Sequence, residues 1–102
     1  MTVYEFYYDL HYFGVSGFYV LDVQKETPKT LRGDVFTSRE RVKPFGRFVV
    51  QKDMIDKVRC GTYGGVCSLK VQLISDSDED ATLKAKQLFA DFLAGEAQRL
   101  RS

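Results

Sequence analysis

Alternation governs the start of the chain. In "TVYEFYYDLHYF", Tyr4, Phe6, Tyr8, Leu10 and Tyr12 take alternate positions, with Glu5, Tyr7, Asp9 and His11 between them. Period two predicts a strand with one strongly apolar face. "GVSG", residues 14–17, offers a turn, and "FYVLDVQKE" alternates again, with Tyr19, Leu21 and Val23 on one side and Asp22 and Gln24 on the other. The two runs predict an antiparallel hairpin. Pro28 lacks a backbone donor and interrupts the second strand. "TLRGDVFTS" predicts a third strand in which Gly33 marks a bulge or tight turn, and "RFVVQ" predicts a fourth. "RERVKPFG" between them has no period and reads as a connection.

"KDMIDKV" is too short for a full helix; Asp53 could cap a single helical turn presenting Ile55 and Val58 to the core. "VCSLKVQLI" alternates cleanly, Cys67, Leu69, Val71 and Leu73 against Ser68, Lys70 and Gln72. The period then changes. Ser77 followed by Asp80 resembles a capping box, with Asp for the usual Glu. Asp78, Glu79 and Asp80 at the front and Arg99 and Arg101 at the end suit the helix dipole. Ala81, Ala85, Leu88, Phe89, Phe92, Leu93 and Leu100 fall on one helical face. The pattern predicts an α+β fold: a curved antiparallel sheet of four to five strands, about residues 3–74, packed against one C-terminal amphipathic helix, about 78–100. Its 102 residues are one domain's worth, spanning 1–102.

Composition sharpens this in two respects. Aromatic residues make up 14% of the chain, with 8 Phe and 6 Tyr, and such rings favour pleated, half-buried surfaces. Net charge is only +1, yet residues 29–59 carry +5 and the remainder −4. A dipolar molecule of this kind can steer a partner although its total charge implies neither nucleic acid nor membrane. The amino terminus lacks a signal-peptide pattern, and no run reaches the roughly 18–20 apolar residues of a membrane helix. The expectation is a cytoplasmic protein with reduced cysteines.

Most catalytic chemistry finds no pattern. Cys60 and Cys67 flank "GTYGGV", but a metal site wants about four ligands, and only His11 and carboxylates remain to complete one. Cys67 lies on the apolar phase of its strand, where cysteine acts as a small hydrophobe. His11, two positions from Asp9, could form an acid–base pair, but no nucleophile motif accompanies it. "GTYGG" is followed by a strand and lacks the Walker lysine, so its glycines read as a hairpin turn. The acids at 76, 78, 79 and 80 depart from an EF-hand loop and are explained by helix capping. No catalytic residue, metal site, cofactor or small-molecule substrate is expected.

"ETPKT", "RFVVQKDMIDKV" and the acid-capped "DEDATLKAKQLFADFL" together resemble small uncharacterised proteins of phages, plasmids and integrative elements of Gram-positive bacteria. The likeness runs from Glu26 onward. It implies a compact accessory protein that antagonises or regulates a host system, and brings no catalytic residues with it.

The functional expectation follows from the rings. Tyr7 lies on the phase opposite to Tyr4, Phe6 and Tyr8, so the first strand carries large rings on both faces while the chain offers one helix to cover them. An interaction module docking a host protein, or a second copy of itself, through an exposed sheet face or edge is expected, with Tyr4, Tyr7, Tyr8 and Tyr12 as the binding rings. The alternative is a small nucleic-acid-binding regulator using the basic aromatic segment 36–59, with Arg39, Arg41, Lys43 and Arg47 beside Phe36, Phe45 and Phe48.

Overall fold

In the computed structural model, which describes residues 1–63 and 66–101, a curled antiparallel sheet carries one C-terminal helix. Six strands form it: β1 (Thr2–Asp9), β2 (Gly14–Glu26), β3 (Thr30–Thr37), β4 (Gly46–Gln51), β5 (Arg59–Tyr63) and β6 (Val66–Ile74). The helix α1 (Asp78–Arg101) follows, and a 3-10 turn (Lys52–Met54) links β4 to β5. The α+β class is as expected. The sixth strand is β5, which lacks any alternation of its own and is held in place by β6, with Cys60 opposite Leu69 and Thr62 opposite Cys67. Of the expected "GTYGG" turn, Gly61–Tyr63 belong to this strand, and Gly64 and Gly65 lie outside the described residues.

The strand order is β4-β3-β2-β1-β6-β5, with every ladder antiparallel. Read as a ring, each strand neighbours its successor in sequence, and β6 returns to β1. The topology is therefore that of a six-stranded up-and-down meander with a single seam: among the described residues no ladder joins β4 to β5.

Parity separates two cores. On the outer face Tyr4, Phe6, Val20, Leu69, Val71 and Leu73 pack beneath Ala81, Ala85 and Phe89 of the helix. On the inner face Val3, Leu21, Leu31 and Val50 form a second cluster, with Tyr19, Val23, Val35, Phe48 and Ile55 against it. The inner face needs no helix, because the sheet curls over it. Two irregularities assist: the β1–β2 register shifts between Tyr7 and Tyr8, and the β2–β3 register shifts between Val23 and Lys25. Such bulges bend and twist a strand. Gly33 sits opposite the second bulge, and a Cβ there would lie 1.8 Å from the Asp22 carbonyl oxygen. The bulge expected at Gly33 is thus carried by the facing strand, and glycine is what lets the two backbones meet.

Several local expectations shift. The β1–β2 turn lies at Leu10–Phe13, while 14–17 are already strand. Asp9 makes the turn: its Oδ1 accepts the backbone N–H groups of His11 (2.7 Å) and Tyr12 (3.2 Å), and Phe13 takes a left-handed φ of 56°. Asp9 thus engages His11 through its backbone. The 3-10 turn is preceded by Gln51 and has no side-chain cap, so Asp53 does not serve as one. Ile55 and Val58 part company, Ile55 joining the inner cluster and Val58 the outer. The helix begins as expected, with Ser77 Oγ accepting the Asp80 N–H at 3.1 Å. Asp80 does not reach back to the Ser77 backbone; its Oδ2 accepts from the hydroxyl of buried Ser75 at 2.7 Å. Leu100 stays exposed, outside the core that Ala81, Ala85 and Phe89 join. Cys60 and Cys67 are both free and exposed rather than packed in a core.

Candidate functional site

The inner face does not close completely. Beside its apolar cluster lies a cavity of about 400 Å³, lined by Glu5 and Tyr7 of β1, Tyr19 and Leu21 of β2, Val35 of β3, Phe48 of β4, and Lys70 and Gln72 of β6, with Phe45, Arg47 and Val49 at its rim. β4 and β6 stand four ladder steps apart, about 19 Å in a flat sheet. Their sharing one cavity is the direct sign of the curl. Phe48 and Val50 point inward, whereas Arg47 and Val49 lie on the other phase of β4. Since both phases border the cavity, it runs along the unpaired edge of β4 as well as over its inner surface. The cavity therefore meets the seam at its β4 border, and no described residue of β5 lines it.

Its floor is a polar ladder set by register. Glu5 faces Gln72 across β1–β6, Tyr7 faces Lys70, and Arg59 faces Lys70 across β6–β5. Facing residues share a side of the sheet, so five polar side chains meet on the inner face. The Tyr7 hydroxyl donates to Glu5 Oε1 (2.5 Å) and Gln72 Nε2 donates to Glu5 Oε2 (2.7 Å). The Lys70 ammonium lies 3.7 Å from the same oxygen, and Arg59 Nη2 donates to Gln72 Oε1 at 3.1 Å. Arg59 Nε is buried without a partner. Above the floor stands an aromatic wall: Tyr7 and Tyr19 meet edge to face with centroids 6.0 Å apart, and Tyr19 and Phe45 stand 5.4 Å apart. Phe45 is 60% exposed and Val49 55%, so the apolar rim faces water.

The expected tyrosines do not make one surface. Tyr4 is 4% exposed beneath the helix, and Tyr8 packs on Phe89 with centroids 5.5 Å apart. Only Tyr7, through its opposite parity, reaches the inner cavity. Tyr12 is 79% exposed in the β1–β2 turn, its ring edge-on to His11. Strand parity is the reason: Tyr4 and Tyr8 share the phase that the helix covers.

The basic residues also divide. Arg39 and Lys43 are exposed in the β3–β4 connection, and Arg47 borders the cavity. Arg41 is engaged elsewhere. Its Nη1 and Nη2 donate to the two carboxylate oxygens of Asp78 at 3.1 and 2.6 Å, and its guanidinium lies 5.9 Å from the Phe18 ring centroid. The Tyr4 hydroxyl donates to the same carboxylate at 2.9 Å. This clamp ties the β3–β4 connection to the first turn of the helix, on the face away from the cavity.

Hydrogen bonding by Arg41 holds the Asp78 carboxyl below the usual Asp value, while burial, and then Asp78, raise the Tyr4 hydroxyl. The sign follows. With the folded value depressed, the clamp stabilises fully above the unfolded Asp pKa of about 4 and is lost as pH falls through the folded value. Arg41 and Asp78 side chains are 40% and 45% exposed, so solvent screening limits the pair to about 0.5–1 kcal/mol. Asp78→Asn should lower the unfolding free energy by about that amount at pH 7 and leave it almost unchanged near pH 2. Urea titrations at the two pH values check this.

Among the described residues no helix is long and apolar enough to cross a membrane. In comparisons with protein-family models, curated proteins and solved structures, nothing matches the chain.

Proposed function

We propose that this protein is a non-enzymatic interaction module that docks another protein along the open seam of its sheet. The observation that supports the reading is the junction of an unpaired strand edge, β4, with a cavity walled by Tyr7, Tyr19 and Phe45. Edge strands are normally blunted by proline, bulges or charge pointing inward, since their free N–H and C=O groups template pairing. β4 has neither proline nor a register shift, and it presents Val49 and flanking Phe45 to water. Aromatic rings and arginine are the residues that carry binding energy at protein contacts. A role as an accessory protein of a mobile element rests on the sequence resemblance alone.

A photoreactive side chain placed at Phe45 or Val49 tests the reading in cells that naturally carry the chain. Protein adducts are expected from both positions and not from Leu83, which is exposed on the helix. Adducts from Leu83 alone would contradict the proposal. The nucleic-acid alternative keeps one supporting observation, exposed Arg39, Lys43 and Arg47 beside the exposed ring of Phe45. It requires nuclease-sensitive adducts and an affinity that falls steeply with salt.

A further inference from the structure

Resting on that reading, we propose that the seam receives an acidic polypeptide segment in extended conformation, paired as an added strand on β4 with one carboxylate side chain directed into the cavity. Three observations on different levels lead there. Backbone comes first. Among the described residues the meander is complete except between β4 and β5, and each of these strands has a neighbour on one side only. An extended segment satisfies such an edge through main-chain hydrogen bonds, and side chains on one phase then fill whatever pocket lies beneath.

Charge comes second. Residues 39–63, which form both borders of the seam and their connections, hold seven cations against three acids. The acids are committed or distant from the cavity lining. Glu40 Oε1 accepts the backbone N–H groups of Val42 and Lys43, and Asp53 and Asp56 belong to the link beyond β4. Glu5, the carboxylate of the cavity floor, accepts from Tyr7 and Gln72 with Lys70 beside it. Asp34 faces Arg47 across β3–β4, with its Oδ2 accepting from Gln24. Arg47 at the rim and Arg59 on the β5 side, set against that one further acid, leave the seam net positive, and an incoming carboxylate meets cations.

Shape comes third. The 3-10 turn ties β4 to β5 at one end, where Ile55 bridges Gln72, so the seam opens at the end of Gly46 and Tyr63. A segment enters from that side. The rings of Tyr19, Phe45 and Phe48 make walls for the stem of one inward-pointing residue, and the cavity of about 400 Å³ holds a single large side chain rather than a folded domain.

A twelve-residue random peptide display library, panned against the full chain at low salt, tests this. Selected peptides should lack proline, alternate apolar residues with Asp or Glu, and slow amide exchange in β4. Arg47→Glu, a change at an exposed position, should weaken the best peptide at least tenfold, and N-methylation of its alternate amides should abolish binding. Peptides that are basic, or that bind Arg47→Glu equally well, or that tolerate N-methylation at every position, overturn the inference. So does a twelve-nucleotide oligo(dT) that displaces them and protects β4, or a concentration-dependent dimer that alone accounts for that protection. Peptides that protect the helix or the β1–β2 turn overturn the seam assignment while leaving a docking module; a library that yields no binder overturns both readings.

Discussion

Gly33→Ala is expected to destabilise the protein by about 3 kcal/mol or more, the scale of severe overpacking. The added Cβ would stand 1.8 Å from the Asp22 carbonyl oxygen and 2.9 Å from the carbonyl carbon. Both atoms are backbone, in the strand that also pairs with β1, so they cannot turn aside as a flexible side chain would. Relief requires moving β2 and β3 apart at the bulge, which opens the curl that buries Leu21, Leu31 and Val50. For a domain whose whole stability is about 5–15 kcal/mol, the loss is large. Chemical denaturation reads it. A change smaller than about 0.5 kcal/mol, typical of an unremarkable surface position, would show that β2 and β3 do not approach as described.

Glu5→Ala is expected to cost about 2–3 kcal/mol, near the lower end for breaking an almost buried ion pair. Side-chain exposure of Glu5 is 15% and of Lys70 is 19%, so solvent compensates neither fully. The substitution removes the acceptor of Tyr7 and Gln72 and leaves the Lys70 ammonium without the carboxylate beside it. The 3.7 Å separation makes the charge pair alone modest; most of the loss comes from removing the acceptor that Tyr7 and Gln72 share. A double-mutant cycle separates these contributions. Glu5→Ala with Lys70→Ala should cost less than the two single changes summed, by about 0.5–1 kcal/mol. Strict additivity would mean that the floor is not one network.

Much of the fold was legible from period alone. The alternation Tyr4, Phe6, Tyr8 and the helical spacing Ala81, Ala85, Phe89 meet in one core, and Ser77 caps the helix through Asp80 as its position suggested. Less legible was the curl. β1 puts its strongest apolar phase on the outer face, while Tyr19, Leu21 and Val23 of β2 face inward. That opposition between neighbouring strands is a signal of two buried faces, and it becomes visible only with the register Tyr4 to Val20 and Phe6 to Phe18 in hand.

The candidate site was harder still. Glu5, Lys70 and Gln72 occupy the polar phases of their strands, where period two assigns them to solvent. They are covered because β4, three strands from β1 and four from β6, arrives over them, and nothing local in "YEFYY" or "SLKVQ" encodes that arrival. Of the four tyrosines expected to bind, Tyr7 alone reaches the cavity, and its parity was the clue; Phe45 and Phe48, expected beside the basic residues, reach it from the β4 side. Arg41 shows the opposite failure: its basic neighbourhood suggested a ligand, but a carboxylate 37 positions along the chain takes its guanidinium. Sequence distance hid the partner.

The central claim is an antiparallel meander left unzipped between β4 and β5. Residue-resolved amide hydrogen exchange on the free full-length protein tests it most directly, because an amide turned towards an empty seam has no ladder partner. Along Gly46–Gln51 every second amide should exchange rapidly while those bonded to β3 exchange slowly, and β5 should alternate likewise against β6. Uniform protection across both strands, comparable to that of β1 at the sheet's centre, would mean that the seam is shut in the free protein and offers no edge for a partner to join.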